Sequence, residues 1–423
     1  MLYAYYGDDF TGSTDVLETL AEAGVPAVLF LGEPTAEDIA AFPGVAAIGI
    51  AGDSRSRSPQ WMDHNLPRIF GVLKGFGAQV THYKTCSTFD SAPHVGNIGR
   101  AMEIGSRIFE APFVPILVGA PHLGRFVAFG ELFALAEDVV YRIDRHPTMS
   151  RHPVTPMHEA DLRRHLAQQT SMKVGLVDLR HLTRATLTHE LSQGAVAVLF
   201  DGVDEVTSAA AGKLVWAEAA QQKLFGVGSS GLTRSLVAAW KTEGLASGER
   251  LTATAKAERP VLIVSGSCSP VTSSQITWAL ENGFEGIPIH PKRLLPEPEI
   301  RKQIVDQIIE SLQRKRSPVV YSAMGPLPPD EAAYGDQLGA ALGHIVRQVV
   351  ERSALRRVVF CGGDTSSHAL QQLPIRALSW AGPLVAGAPL CSAYAPGTIF
   401  DGMELVLKGG QVGPRDLFRS ALA

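Results

Sequence analysis

Four cysteines in 423 residues (Cys86, Cys268, Cys361 and Cys391) stand far apart and form no CxxC pair. That excludes a disulfide framework and a cysteine zinc site, and it suits reduced thiols in a cytoplasm. An excess of charge is also missing. With 38 basic and 42 acidic residues the net charge is −4, which leaves no basic footprint for nucleic acid or an anionic membrane. The opening apolar run is broken at Gly7-Asp8-Asp9 and no basic leader precedes it, so neither a signal peptide nor a membrane span is expected. No G-x-x-x-x-G-K-[ST] occurs and the protein-kinase signature set is absent. Repeats and low-complexity tracts are lacking as well.

What is present is a globular composition, 45% hydrophobic and 19% charged. The chain is too long for one ordinary core, so two domains are expected. Continuous apolar runs such as "LYAYY", "PAVLFLG", "VAAIGIAG", "FVPILVGA" and "AVAVLFDG" alternate with amphipathic stretches. Strands of this kind, buried on both faces between helices, imply mostly parallel sheets and an α/β class. Residues 242–259 are polar and small, read as a linker, and divide a domain over 1–241 from one over 260–423. Two α/β domains meeting at a ligand cleft is the expected architecture. The spacing predicts helices over 14–23, 35–41, 272–282, 297–314 and 330–352.

Four glycine turns stand at strand ends in the second half. "FGVGSSG" contains a formal GxGxxG (Gly226, Gly228, Gly231). Its helix runs into the linker, so the acidic strand end of a dinucleotide fingerprint is missing. In "VLIVSGSCSPVTSSQI" a buried strand delivers Ser265, Gly266 and Ser267 to a helix start. "VVFCGGDTSSHAL" repeats the device with Gly362, Gly363, Asp364 and Thr365. Free N–H groups at a helix N-terminus, with small residues allowing close approach, make an anion site. "VLKGGQVG" adds Lys408 before Gly409-Gly410.

Polar clusters recur at strand ends of the first half: Asp53, Arg55 and Arg57; Lys84, Ser87, Asp90, Ser91, Gly96 and Asn97; His122 and Arg125. Cations and hydroxyls at the carboxyl ends of parallel strands suit a small carboxylate or phosphate. Arg57 reads equally as a surface ion pair. The six-residue spacing of His146, His152 and His158 matches no zinc signature, and His152 reads better as part of a substrate loop. The doublet Asp8-Asp9 ends the first strand. A helix cap by Thr11, Ser13 or Thr14 near Asp15 would account for the hydroxyls.

Taken in order, "GDDFTGSTD", "YKTCSTFDS…GNIG", "RHPVTPMHEADL", "VSGSCSPVTSSQI", "CGGDTSSHAL" and "LVLKGGQVG" resemble the four-carbon acid sugar kinase family over residues 3 to about 416. The resemblance implies ATP-dependent phosphorylation of a small sugar acid (threonate, erythronate, 3-oxo-tetronate or the branched 3-oxo-isoapionate). It also implies an N-terminal sugar-acid domain and a C-terminal nucleotide domain. Asp8, Asp9, Arg55, Lys84 and Asn97, with Ser91 and His152 beside them, would line the substrate site. Ser265, Ser267, Gly362 through Thr365, and Gly409 would contact ATP. Asp9 and Asp364 are the candidate catalytic carboxylates, and Asp364 the candidate Mg²⁺ ligand. Asp9 would orient the acceptor hydroxyl, hold the metal or grip the substrate. The chain departs from the family's usual K-x-D-S-T-L-R-G-N, having "KTCSTFDSAPHVGN" without the arginine before Gly96, and that bears on the substrate. A homodimer is a further expectation. The competing readings are an NAD(P)-dependent dehydrogenase of a small hydroxy acid and a catalytically silent sugar-acid-binding protein.

Overall fold

The structure, a computed structural model, describes residues 1–136, 138–253, 260–325 and 334–422; the side chains of Asp336 and Asp364 lie outside the description. The described chain divides into two compact units. One comprises 1–8, 19–27 and 42–251; the other comprises 9–18, 28–41 and 252 onward. Two N-terminal segments thus pack with the C-terminal half, where a single domain over 1–241 is the sequence expectation. Long-range pairing is the cause, since β2 (Ala27–Phe30) pairs antiparallel with β16 (Ala377–Val385).

The first unit is built on parallel strands β1 (Tyr3–Gly7), β3 (Ala47–Ala51), β4 (Val80–Lys84), β5 (Val114–Leu117), β9 (Val174–Val177), β10 (Ala197–Phe200) and β11 (Leu224–Gly228). Their order is β9-β10-β5-β11-β4-β1-β3. Every residue of β1, β3, β4 and β11 is buried, which is why β1, β3 and β11 read as unbroken apolar runs, while β4 buries the polar Thr81, His82 and Lys84. Tyr6 stacks on Tyr83 at 5.8 Å between ring centroids, and the helices Pro59–Gly75 and Ile98–Phe109 cover that face. An antiparallel meander, β6 (Arg125–Ala128), β7 (Glu131–Ala136) and β8 (Val139–Arg142), is inserted after β5.

The second unit arranges β12 (Leu262–Ser265), β13 (Glu285–Pro288), β14 (Pro318–Tyr321), β15 (Arg357–Cys361), β17 (Ala388–Tyr394) and β18 (Glu404–Lys408) in the order β13-β14-β12-β15-β18-β17-β16-β2. The first five are parallel; β16 and β17 form an antiparallel hairpin. A fully buried Arg357 donates to Glu404 at 3.0 Å across the β15–β18 pair, so each charge is held by its partner rather than left bare in the core.

The helix expected from residue 14 begins at Phe10 instead and runs to Glu22. Its start is set by Asp9 and not by Thr11, Ser13 or Thr14. The Gly12 N–H donates to Asp9 Oδ1 at 2.6 Å, and Ser13 Oγ donates to the Asp9 carbonyl at 2.6 Å. Other helices fall within a few residues of expectation, at Pro270–Glu281, Pro298–Gln313 and Gly335–Arg352; residues 326–333, and with them the expected start at 330, lie outside the described residues. Among the described residues no helix is long and apolar enough to cross a membrane.

Candidate functional site

In the first unit, parallel β1, β3 and β4 end side by side, and their ends carry Asp8, the 53–57 turn and Lys84. The Asp8 N–H donates to the Lys84 carbonyl at 2.9 Å, and the Arg55 N–H donates to the Asp8 carbonyl at 3.1 Å. Lys84 is buried, its Nζ donating to the Thr85 carbonyl at 2.9 Å. Residues 85–97 fold back onto the turn. Gly96 donates to the Arg57 carbonyl at 2.9 Å, and a Cβ on it would stand 2.5 Å from the Arg55 carbonyl oxygen at a φ of +59°. Only glycine meets both conditions.

Asp90 is the hub of this region. Arg55 Nη2 donates to its two oxygens at 2.8 and 3.0 Å, Thr88 Oγ1 donates at 2.5 Å and Thr155 Oγ1 at 2.8 Å. The Thr155 N–H in turn donates to His152 Nδ1 at 3.1 Å. Burial alone would raise the Asp90 pKa. The charges of Arg55 and His152 and the donated hydrogen bonds outweigh it and hold the carboxyl below the usual range. Arg55 and His152, nearly a hundred residues apart in sequence, thus meet through one anion.

Two other expected substrate residues sit in structural roles. Asn97 caps the helix Ile98–Phe109, accepting from the Arg100 N–H at 2.6 Å and donating to the Pro93 carbonyl at 3.0 Å. Ser91 is buried against His165 Nε2 at 2.8 Å and accepts from Gln169 at 2.8 Å. Burial pushes the His165 pKa down to about 4. Arg57 pairs with Asp53 and lies over the Trp61 ring. His146 Nδ1 accepts from the N–H groups of Thr148 and Met149, both at 3.2 Å. The GxGxxG glycines are consumed by packing: a Cβ on Gly228 would collide with the Leu117 carbonyl, and one on Gly231 with that of Gly119.

In the second unit, three turns at strand ends converge. A Cβ on Gly266 would collide with Thr365 Oγ1; one on Gly362 would stand 3.1 Å from that atom and 3.5 Å from Ser267 Cβ; one on Gly410 would stand 3.2 Å from Ser267 Oγ. Ser265, Ser267, Gly362 and Thr365 are therefore brought together. Gly409 lies in the adjoining turn, its position 3.2 Å from Val412 Cγ2. The positive φ, +110°, belongs to Gly362, while Gly363 opens the helix Gly363–Leu370. Asp9 stands at that opening, its Oδ2 3.3 Å from where a Cβ on Gly363 would be, and it accepts from Thr11 Oγ1 at 3.0 Å. Asp364 follows Gly363 in the helix, and its side chain is outside the described set. Ser269 Oγ is buried there with no hydrogen-bond partner among the described residues. Lys408 is fully buried beneath the Gly409-Gly410 turn, its pKa pushed down to about 8 by burial, with Cys361 acting in the opposite direction. No group of three or more His, Cys, Asp or Glu among the described residues is arranged to hold a metal ion.

Sequence reasoning left Thr155 and Gln275 unnamed, gave Asp90 no role and took Thr272 only as the opening of a helix. It took Lys408 as a cation able to neutralise phosphate charge, whereas Lys408 is buried with its donors spent on Thr272, Gly409 and Gly410. For Asp90 a signal existed: an aspartate between two hydroxyl residues in a loop already rich in cations.

Residues 3–236 match the sugar-binding N-terminal domain family and residues 262–418 the nucleotide-binding C-terminal domain family. A 3-oxo-isoapionate kinase of Paraburkholderia graminis is 43% identical over 99% of this chain and 93% of its own. A 3-oxo-tetronate kinase of Methylobacterium radiotolerans is 30% identical over 98% of this chain and 97% of its own. Among solved structures, a Salmonella typhimurium LT2 protein described as a tRNA synthase superposes with a TM-score of 0.78 at 25% identity, covering 100% of this chain and 98% of that one.

Proposed function

The chain belongs to the four-carbon acid sugar kinase family, and we propose that it transfers the γ-phosphoryl group of ATP to a hydroxyl of a small sugar acid of the 3-oxo-isoapionate type. The observation that carries the kinase reading is the convergence of Gly266, Gly362 and Gly410 on Ser267 and Thr365. Side chains are excluded there, so backbone and hydroxyl donors can approach phosphate oxygens closely. The branched substrate is favoured over 3-oxo-tetronate by the 43% identity to a relative of that name.

The first unit is the sugar-acid side of this reading. Asp8, Arg55 and Lys84 sit at its strand ends, and Asp90 holds Arg55 and His152 in place. An arginine so fixed is pre-organised to meet a carboxylate or keto oxygen. The second unit takes the nucleotide. Mg²⁺ suits this site as an ion carried on the nucleotide phosphates, because it ordinarily takes one or two protein carboxylates and keeps its waters; Asp9 and Asp364 are the candidates. Asp9, which lies next to Gly363, is the group we assign to orient the acceptor hydroxyl and receive its proton.

A coupled ADP-release assay over a panel of sugar acids, with NAD(H) absorbance followed in parallel, tests the proposal. ADP release dependent on 3-oxo-isoapionate is the expected result. Absorbance change without ADP release would overturn it in favour of a dehydrogenase, and binding without either would favour a silent binding protein.

A further inference from the structure

The segment 409–414 is held to the rest of the unit through its carbonyl groups, with one internal bond from the Val412 N–H to the Gly409 carbonyl at 3.2 Å. Lys408 Nζ donates to Thr272 Oγ1 at 2.9 Å, to the Gly409 carbonyl at 2.8 Å and to the Gly410 carbonyl at 3.3 Å. An ammonium has three donors, so all of them are spent. Thr272 Oγ1 donates to the same Gly410 carbonyl at 3.0 Å. Gln275 Nε2, one turn further along the helix Pro270–Glu281, lies 3.1, 3.0 and 2.9 Å from the carbonyls of Val412, Gly413 and Pro414, its two N–H groups shared among the three. Lys408, Thr272 and Gln275 are all fully buried.

In a trans peptide the C=O and the following N–H point in opposite directions. Carbonyls of Gly409 and Gly410 drawn to the buried ammonium therefore turn the N–H groups of Gly410 and Gln411 away from it. No described acceptor takes a hydrogen bond from either N–H. Gln411 is exposed and Gly410 partly so, so a ligand can reach them. Beside this turn Ser269 Oγ is buried and unpartnered, 3.8 Å from the Cβ position of Gly410. Successive outward N–H groups of this kind make an anion-binding concavity.

We propose that Lys408, with Thr272 and Gln275, is a positioning residue that turns the N–H groups of Gly410 and Gln411 outward as a nest for the phosphate chain of a nucleoside di- or triphosphate. Lys408 acts from behind the turn and does not touch the phosphates. The inference rests on the kinase reading above for the identity of the anion.

Calorimetric titration of the full-length protein with ADP and with adenosine separates the possibilities. For Lys408→Met the expected result is an ADP affinity reduced by about tenfold or more, the loss typical of hydrogen bonds to a charged group. Adenosine affinity and the KM for the sugar acid should stay unchanged. Thr272→Val, which keeps the lysine and the side-chain volume, should shift the ADP-to-adenosine ratio in the same direction by less, and it decides the matter if Lys408→Met does not fold. Equal weakening of ADP and adenosine, or unaltered ADP affinity in a folded variant, would overturn the proposal. A wild-type protein that binds neither nucleotide would overturn the reading beneath it instead.

Discussion

Asp9→Asn separates the two jobs the structure allows this carboxylate. As a helix cap it accepts from the Gly12 N–H through Oδ1 at 2.6 Å and from Thr11 through Oδ2 at 3.0 Å. Asparagine retains the first acceptor and is itself a good cap, and the Thr11 hydroxyl has to reorient. The stability cost should not exceed about 1 kcal/mol, which for a domain of this size lowers the melting temperature by about 2–4 °C. At 25 °C so small a loss leaves the protein folded and cannot alter turnover measurably. If Asp9 orients the acceptor hydroxyl and takes its proton, the neutral amide removes the basicity, and a general base contributes about 10²–10⁴ in rate. The expected outcome is near-normal melting, unchanged ADP affinity, and turnover lower by about a hundredfold or more at saturating sugar acid. The measurement is coupled ADP release beside calorimetry on the same preparation. Turnover close to that of the unmodified protein would refute the reasoning and leave Asp9 a cap alone.

Gly363→Val should abolish ATP binding while sugar-acid binding survives, because its Cβ would stand 3.3 Å from Asp9 Oδ2 and 3.7 Å from Thr11 Oγ1 and the added methyl groups would crowd the helix opening; unchanged ATP affinity would remove this turn from the nucleotide site. Asp90→Asn should raise the sugar-acid KM by about tenfold or more and cost about 2 kcal/mol of stability, since Arg55 and two threonine donors would face a neutral amide; steady-state kinetics and urea unfolding read the two effects. His165 has a native pKa of about 4 against 6.5 for the free side chain, so below pH 6.5 the unfolded chain takes up a proton that the native chain refuses. Stability should therefore fall as pH drops through this window, by up to about 3 kcal/mol, and a parallel pH slope in His165→Gln would contradict this assignment.

Most of the parallel strands were legible because they are buried on both faces and so read as apolar runs, as β1, β3, β5, β10 and β12 do. The glycine turns were legible because small residues at a strand end have few other uses. Local reasoning failed where partners are distant in sequence. Asp90 meets Thr155 across 65 residues, Ser91 meets His165 across 74, and Lys408 meets Thr272 across 136. Asn97 and Ser91 look like ligand-binding side chains in a polar loop, yet their hydrogen-bonding capacity is engaged by a helix end and a buried histidine. The β6–β8 meander gave no sign because its short strands alternate only weakly and their outer faces stay partly exposed.

The adjacent carboxylates at the end of β1 look like one acidic feature, and spacing alone invites a shared role. The fold separates them. Asp8 belongs to the first unit, its N–H bonded to Lys84 and its carbonyl to Arg55, while Asp9 belongs to the second and caps a helix beside Gly363. The chain passes from one unit to the other between them, so each unit holds one carboxylate. This accounts for a doublet where a single residue would suffice for either task. It also means that neither aspartate can substitute for the other, because moving the charge by one position transfers it to the other unit's set of contacts.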